Sequence, residues 1–360
     1  MRHHKCGIPK NIDKKIPGSF LFIIPVFVIS FNSFLFFSCV RAEPARMEFI
    51  LGTICSVNLY GLGSESVYNE IFGRLREIEN LMSVNIPSSE ISRINAAAGI
   101  EPVRVSEETF NVIKRAVYFA RLSEGAFDPS IGPVVILWGI GSGSERVPAS
   151  GEIAELLPLV NWRNIELDEE AKTVFLTQCG MSLDLGAIAK GYAADEAAAI
   201  VKKALISRAL IDLGGNIIIT GEKKDASPWR IGVQNPEKQR GTALGYLQIT
   251  AAPNESKTVV TSGTYERYFE NDGIRYHHLF NPPLGYPAQN GLISVTVTAD
   301  VSMDADALST AVFVLGFEKG FALIESLDGI EAVFVFEDRS VRTTAGADFT
   351  LTDKTYFIKK

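Results

Sequence analysis

Strand-like and helix-like stretches follow one another along this chain without a repeating βαβ beat, and that irregularity limits the fold more than any single motif. Residues 49–59 are β-rich. Residues 66–82 have helical period, with Ile71, Leu75, Ile78 and Leu81 on one face. A short helix is expected over 89–97. Another starts after Ser106-Glu107-Glu108, an N-cap signal ahead of Phe110, Ile113, Val117 and Ala120, and Gly125 stops it. Residues 164–167 and 173–177 read as a hairpin. Residues 188–205 are alanine-rich and helical, and strands at 209–212 and 217–220 flank Gly214-Gly215. Further strands are expected at 229–233, 244–250, 259–261, 275–280, 293–298 and 333–336, with helices over 305–315 and 318–327. The sum predicts an α+β fold of mixed, largely antiparallel sheets with packed helices. No internal repeat or Pro/Gly/Ser-rich linker divides it, so one integrated, two-lobed domain over 47–360 is expected.

The N-terminus lies outside that fold. Arg2, Lys5, Lys10, Lys14 and Lys15 precede an uncharged run over 20–38, a basic region followed by an apolar one. The run ends Phe36-Phe37-Ser38-Cys39, which is similar to a bacterial lipobox. Residues 1–38 then form a signal peptide, Cys39 carries lipid and residues 39–46 are a tether. An uncleaved anchor helix is the other reading, since the run is long enough to span a bilayer, although Pro25, Asn32 and Ser33 interrupt it. Either way the domain is expected outside the cytoplasm, held at the periplasmic face of the inner membrane. Removing residues 1–38, which carry five basic side chains and one acid, Asp13, takes the net charge from −7 to about −11. Such a chain does not track nucleic-acid phosphates, and any phosphate ligand needs help from a metal or backbone amides. Cys55 and Cys179 remain, and either a disulfide or two free thiols is compatible with the compartment.

Elimination narrows the chemistry. Only His277 and His278 follow the leader, so no multi-histidine zinc site exists. Neither a G-x-S-x-G elbow nor a Rossmann glycine fingerprint is present. Three clusters are left. Gly186-Ala-Ile-Ala-Lys190-Gly191-Tyr192 has Walker spacing but not the Lys-Ser/Thr ending, and it follows Ser182-Leu-Asp184-Leu at a strand-to-helix junction. Free amides and Lys190 there suit a phosphate; the plainer reading is an ordinary helix entry. Asp306 and Thr310 are four apart on an expected helix, so their oxygens share a face and suit Mg²⁺; the plainer reading is a helix start capped by Asp304. The third is Thr261-Ser-Gly-Thr-Tyr-Glu-Arg-Tyr268 with Arg275-Tyr-His-His278-Leu-Phe-Asn-Pro282. In it His278 is a base or phosphate partner, or only a hydrogen-bonded strand histidine.

Taken in order, these clusters resemble the ApbE-like family of FAD:protein FMN transferases. The resemblance runs over about 48–349. It includes Leu51-Gly-Thr53, Met82-Ser83, Ser89-Glu90, Phe127-Asp128-Pro129, Gly132-Pro133, Trp138-Gly139, Asp184 to Tyr192, Asp212-Leu-Gly-Gly-Asn216, Thr261-Ser-Gly263, His278 to Pro282 and Asp306 to Thr310. It implies Mg²⁺ held by Asp306, Thr310 and the Ala187 carbonyl. FAD is implied as substrate, lying against Leu51, Asn85, the Ala126-Phe127-Asp128 turn, Asp184, Lys190 and Phe280, with His278 handling the proton. It further implies that FMN passes to a threonine or serine of flavin-carrying subunits of membrane redox complexes, releasing AMP. Asn85 stands where members often carry an aromatic residue, Leu51 where methionine is common, and Asn281 and Leu284 where a carboxylate and a hydroxyl are usual. The lost stacking face at Asn85 keeps an FAD pyrophosphatase in view as an alternative. A non-enzymatic flavin-binding lipoprotein is the third reading.

Overall fold

The computed structural model describes residues 45–60 and 65–359. The expected signal peptide, Cys39 and the tether up to residue 44 lie outside the described residues.

A nine-stranded sheet forms the spine. Its order is Arg46–Ile50, Thr53–Tyr60, Arg208–Leu213, Asn216–Thr220, Ser256–Gly263, Leu292–Ala299, Glu331–Phe336, Ser340–Thr343 and Phe357–Ile358. Every pairing is antiparallel except the last. The α+β expectation is met. Period-2 alternation gives each strand two different faces. In Thr53–Tyr60, Cys55, Val57 and Leu59 point into the main core, whereas Tyr60 packs on Trp229 across the sheet. That second face is covered by the small sheet of Trp229–Gln234, Ala243–Ile249 and Phe349–Leu351.

The helices are Glu65–Met82 (α1), Glu90–Ala96 (α2), Glu107–Leu122 (α3), Gly132–Trp138 (α4), Ser150–Leu156 (α5), Ala189–Lys203 (α6), Ser302–Leu315 (α7) and Phe317–Glu325 (α8). Helix α1 buries Ile71, Leu75 and Ile78 of the face that periodicity marked, but Leu81 is only partly buried and Met82 beside it is buried instead. Ser89 and Ser106 cap α2 and α3 by accepting the amides of Ser92 and Thr109. Helix α7 is apolar nearly all round, because the sheet lies on one side and α6 on another. Among the described residues no helix is long and apolar enough to cross a membrane.

Several expectations need correction. The β-rich stretch is a hairpin, bent at Leu51-Gly52 where φ is 56° and 67°. The strand expected at 275–280 is two strands, Ile274–His277 and Phe280–Asn281. It breaks because the Leu279 amide donates to His277 Nδ1 and the His278 amide to the Arg267 carbonyl. Helix α7 starts at Ser302, three residues early, and Asp304 is not its cap. Asp304 instead makes two hydrogen bonds to Arg115. Of the two readings left open for Cys55 and Cys179, the structure has two free thiols, Cys55 buried and Cys179 exposed. Helix α4 was not expected, although Pro133 in its first turn and Gly139 at its end are helix signals; it is held by Trp138, whose indole donates to the Gly285 carbonyl at 2.9 Å.

Candidate active site

The site grows from the close crossing of α6 and α7. The Asp195 carboxylate on α6 accepts the Ser302 and Met303 amides at 2.8 and 2.9 Å, so the start of α7 is capped from the neighbouring helix. Burial pushes the Asp195 carboxyl up to about 6. One turn earlier on α6, Gly191 is where the helices touch: a Cβ there would sit 2.6 Å from Met303 Cα. Asp306, 2 % exposed, then reaches back across the crossing. Its Oδ2 accepts the Gly191 amide at 2.8 Å, and its Oδ1 lies 3.5 Å from Lys190 Nζ.

That amide matters for Ala187. Continued helical bonding would place the Gly191 N–H on the Ala187 carbonyl. The neighbouring bond is made, Tyr192 N–H to Ile188 O at 3.1 Å, but Gly191 turns to Asp306 instead. Among the described residues no backbone amide donates to the Ala187 oxygen. Thr310, one turn after Asp306, holds its Oγ1 3.2 Å from Ser262 Oγ at the end of Ser256–Gly263. Ser262 Oγ is also 2.8 Å from Ser309 Oγ.

His278 approaches from the strand break. Its Nδ1 lies 3.1 Å from the Arg267 carbonyl oxygen. A carbonyl only accepts, so Nδ1 carries the proton and Nε2 keeps its lone pair. Burial pushes the imidazole down to about 3, so it is neutral at physiological pH. Arg267 also donates to the Gly52 carbonyl at 3.2 Å, tying the Leu51-Gly52 turn to the His278 segment. Leu51 holds a left-handed conformation that costs a non-glycine residue roughly 1–2 kcal/mol. Its amide is fixed by Glu79 Oε1 at 2.8 Å. His277 is structural: Nε2 donates to the Ala288 carbonyl at 3.0 Å and Nδ1 accepts the Leu279 amide.

The other expected residues divide by role. Asp184, half-buried, accepts the Gly186 amide at 2.7 Å; burial raises its carboxyl and Arg267 opposes that. Phe127 is part of the core. Asp128 accepts from the amide and hydroxyl of Ser130 and from the Trp162 amide, so its side chain holds its own loop together while Ala126 stays half-buried beside it. Phe280 is buried 5.9 Å from the Trp138 ring. Asn85 is exposed, and its amide donates within its own turn to Ser83 Oγ. The structure therefore brings Lys190 and Asp306 together at the helix crossing, with Thr310 one turn further along α7, and joins Leu51 to His278 through Arg267. Sequence reasoning gave no role to Asp195, Ser262, Ser309 or Arg267. Asp195 is four residues after Gly191 and shares its helix face, a readable signal; Arg267 had none.

Among the described residues no three His, Cys, Asp or Glu side chains gather as a metal cage. The oxygen set present is one carboxylate, one hydroxyl and one carbonyl. That fits a hard cation sharing its shell with water and ligand phosphates.

The model of the ApbE family matches residues 51–334. The FAD:protein FMN transferase of Treponema pallidum is 39% identical over 321 residues, covering 84% of this chain and 87% of that protein. That of Klebsiella pneumoniae is 40% identical over 292 residues, covering 81% and 89%. The crystal structure of the ApbE protein from Thermotoga maritima superposes with a TM-score of 0.74 at 34% identity, covering 86% of this chain and 97% of that one.

Proposed function

The chain belongs to the ApbE family and is an FAD:protein FMN transferase, and on that premise we propose that it works with Mg²⁺, cleaves the FAD pyrophosphate and releases AMP. The observation that carries the metal is the diverted Gly191 amide. It fixes Asp306 and leaves the Ala187 carbonyl without its helical donor, next in the chain to the helix that Asp306 reaches. Asp306, Thr310 and the Ala187 carbonyl would hold the ion. When bound, Mg²⁺ neutralises pyrophosphate charge and polarises phosphorus.

The chain's own groups do the remaining work. Lys190 places a cation beside the same carboxylate, within reach of phosphate charge. His278 Nε2 takes the hydrogen of the acceptor's serine or threonine hydroxyl. That oxygen bonds to the FMN phosphorus, the pyrophosphate P–O bond breaks and AMP leaves. An imidazole near 3 is a weak base, but phosphate charge beside it favours the imidazolium and raises its pKa. FAD is proposed to contact Leu51, Asn85, the Ala126–Asp128 turn, Asp184, Lys190 and Phe280. The acceptors are proposed to be flavin-carrying subunits of membrane redox complexes. The anchor is proposed to be lipid on Cys39, at the periplasmic face of the inner membrane; the basic and apolar leader supports it. Labelled palmitate incorporated by the wild type and lost in Cys39→Ser is the expected result, and equal labelling counts against it.

One observation favours a second outcome. Asn85 is exposed and offers no stacking face, which leaves water a route to the phosphorus. Incubating the protein with FAD and Mg²⁺, with and without a candidate acceptor subunit, separates the two. A covalently flavinylated acceptor supports transfer, and AMP without acceptor supports hydrolysis. FAD that stays bound and intact in both arms rejects the mechanism.

A further inference from the structure

Thr310, Ser262 and Ser309 form a row of hydroxyls whose hydrogen directions are dictated by its far end. Ser309 Oγ is 2.9 Å from the Asp306 carbonyl oxygen, which only accepts, so the Ser309 hydrogen lies on that bond. Ser309 has no second hydrogen. At 2.8 Å it must therefore accept from Ser262. The Ser262 hydrogen is then committed to Ser309, and at 3.2 Å Ser262 accepts from Thr310. The order is Thr310 O–H to Ser262 O–H to Ser309 O–H to Asp306 C=O. Reversing any link would set two lone pairs face to face.

We propose that Ser262 and Ser309 are positioning residues that pull the Thr310 hydrogen away from the site and so present its oxygen lone pairs to the cation. The inference rests on the proposed metal site. A neutral hydroxyl ligates a cation through a lone pair, and a hydrogen aimed at the ion would repel it. Without an outside acceptor the Thr310 hydroxyl turns back to its own helix, at the carbonyl four residues earlier, and its lone pairs re-aim. Ser309 is fully buried, and Ser262 sits at the end of a central strand beside Gly263. The row is thus held by the sheet on one side and α7 on the other, and its last acceptor belongs to Asp306, the residue that supplies the carboxylate. Carboxylate and hydroxyl are set as one unit.

The test is metal affinity. Full-length protein in detergent is titrated with Mn²⁺, free ion being read by electron paramagnetic resonance, and in parallel the half-saturating Mg²⁺ for AMP release is measured. Ser262→Ala is expected to weaken both about 10–100-fold, the usual cost of losing a partner that orients a metal ligand. Ser262→Thr, which keeps the hydroxyl, is expected to stay near wild type. The metal-free melting temperature controls for folding, and Ser309→Ala supplies a second break in the row. Unchanged metal dependence in both alanine variants overturns the proposal. A wild type that binds no Mn²⁺ and cleaves FAD without Mg²⁺ overturns the metal site itself.

Discussion

Gly191→Ala tests the helix crossing because two effects of opposite sign meet there. Gly191 lies in the first turn of α6, and replacing a helical glycine by alanine ordinarily stabilises by about 1 kcal/mol. Here the added methyl would lie 2.6 Å from Met303 Cα and 2.7 Å from the Ser302 carbonyl carbon. That is about 1 Å inside ordinary carbon contact. Both neighbours are backbone and cannot rotate away, so α7 must move. Overpacking costs about 1–3 kcal/mol, and an unyielding backbone puts this site near the top of that range. The net expectation is a loss of about 2 kcal/mol, a fall in melting temperature of roughly 3 °C for a domain of this size. Helix α7 carries Asp306 and Thr310, and a 1 Å misplacement of reacting groups costs about 100-fold in rate. AMP release at 25 °C, where the variant is still folded, should therefore drop about 100-fold, with a higher Mg²⁺ requirement. A melting temperature that rises with activity intact would mean that propensity wins and the crossing is slack.

Asp306→Ala should cut AMP release by about 10²–10³-fold, and turnover that persists without responding to Mg²⁺ would refute the assignment. Asn85→Tyr should tighten FAD binding by about 1–3 kcal/mol and slow acceptor-free hydrolysis, with little change in stability because the side chain is exposed; equal FAD affinity by fluorescence titration would show the position does not stack on the substrate. Asp195 has its folded-state pKa raised from 3.8 to about 6, so the stability gained by protonating it is complete below about pH 4 and lost as pH rises through 6. Urea unfolding of wild type and Asp195→Asn should show the wild type gaining on the variant by up to about 3 kcal/mol between pH 7 and pH 4, and a gap that does not move with pH counts against it.

Where structure was local, the sequence carried it. Ser106 caps α3 as its motif indicated, and the apolar period of α1 marks most of its buried face. Where a residue answers to something distant, local reading went astray. Asp304 looked like the cap of α7, but the cap is Asp195, 107 residues before Ser302, and that is why the helix starts at Ser302. Asp306 and Thr310 were legible as one helix face, but the partners of Asp306, Gly191 and Lys190, lie more than a hundred residues away. The strand through His278 looked continuous because its residue types suit a strand. It breaks over a histidine side chain bonding to backbone, which composition does not encode. The ordered motifs pointed to Ala187, Asp306 and Thr310, but only the tertiary contacts show how Ala187 loses its amide.

The charge of the chain and the geometry of the site point the same way. The protein is acidic overall, yet its substrate is a pyrophosphate. Lys190 is the cation nearest Asp306 and is already matched to that carboxylate. Arg267 faces the segment of His278 and donates to the Gly52 carbonyl. Asp184, Asp212 and Asp195 are all held in surroundings that disfavour their charge. Lys190 is thus already engaged by Asp306 before a pyrophosphate enters. A bound cation would add attraction that an engaged Lys190 does not supply, which agrees with the proposal that Asp306, Thr310 and the freed Ala187 carbonyl hold a metal.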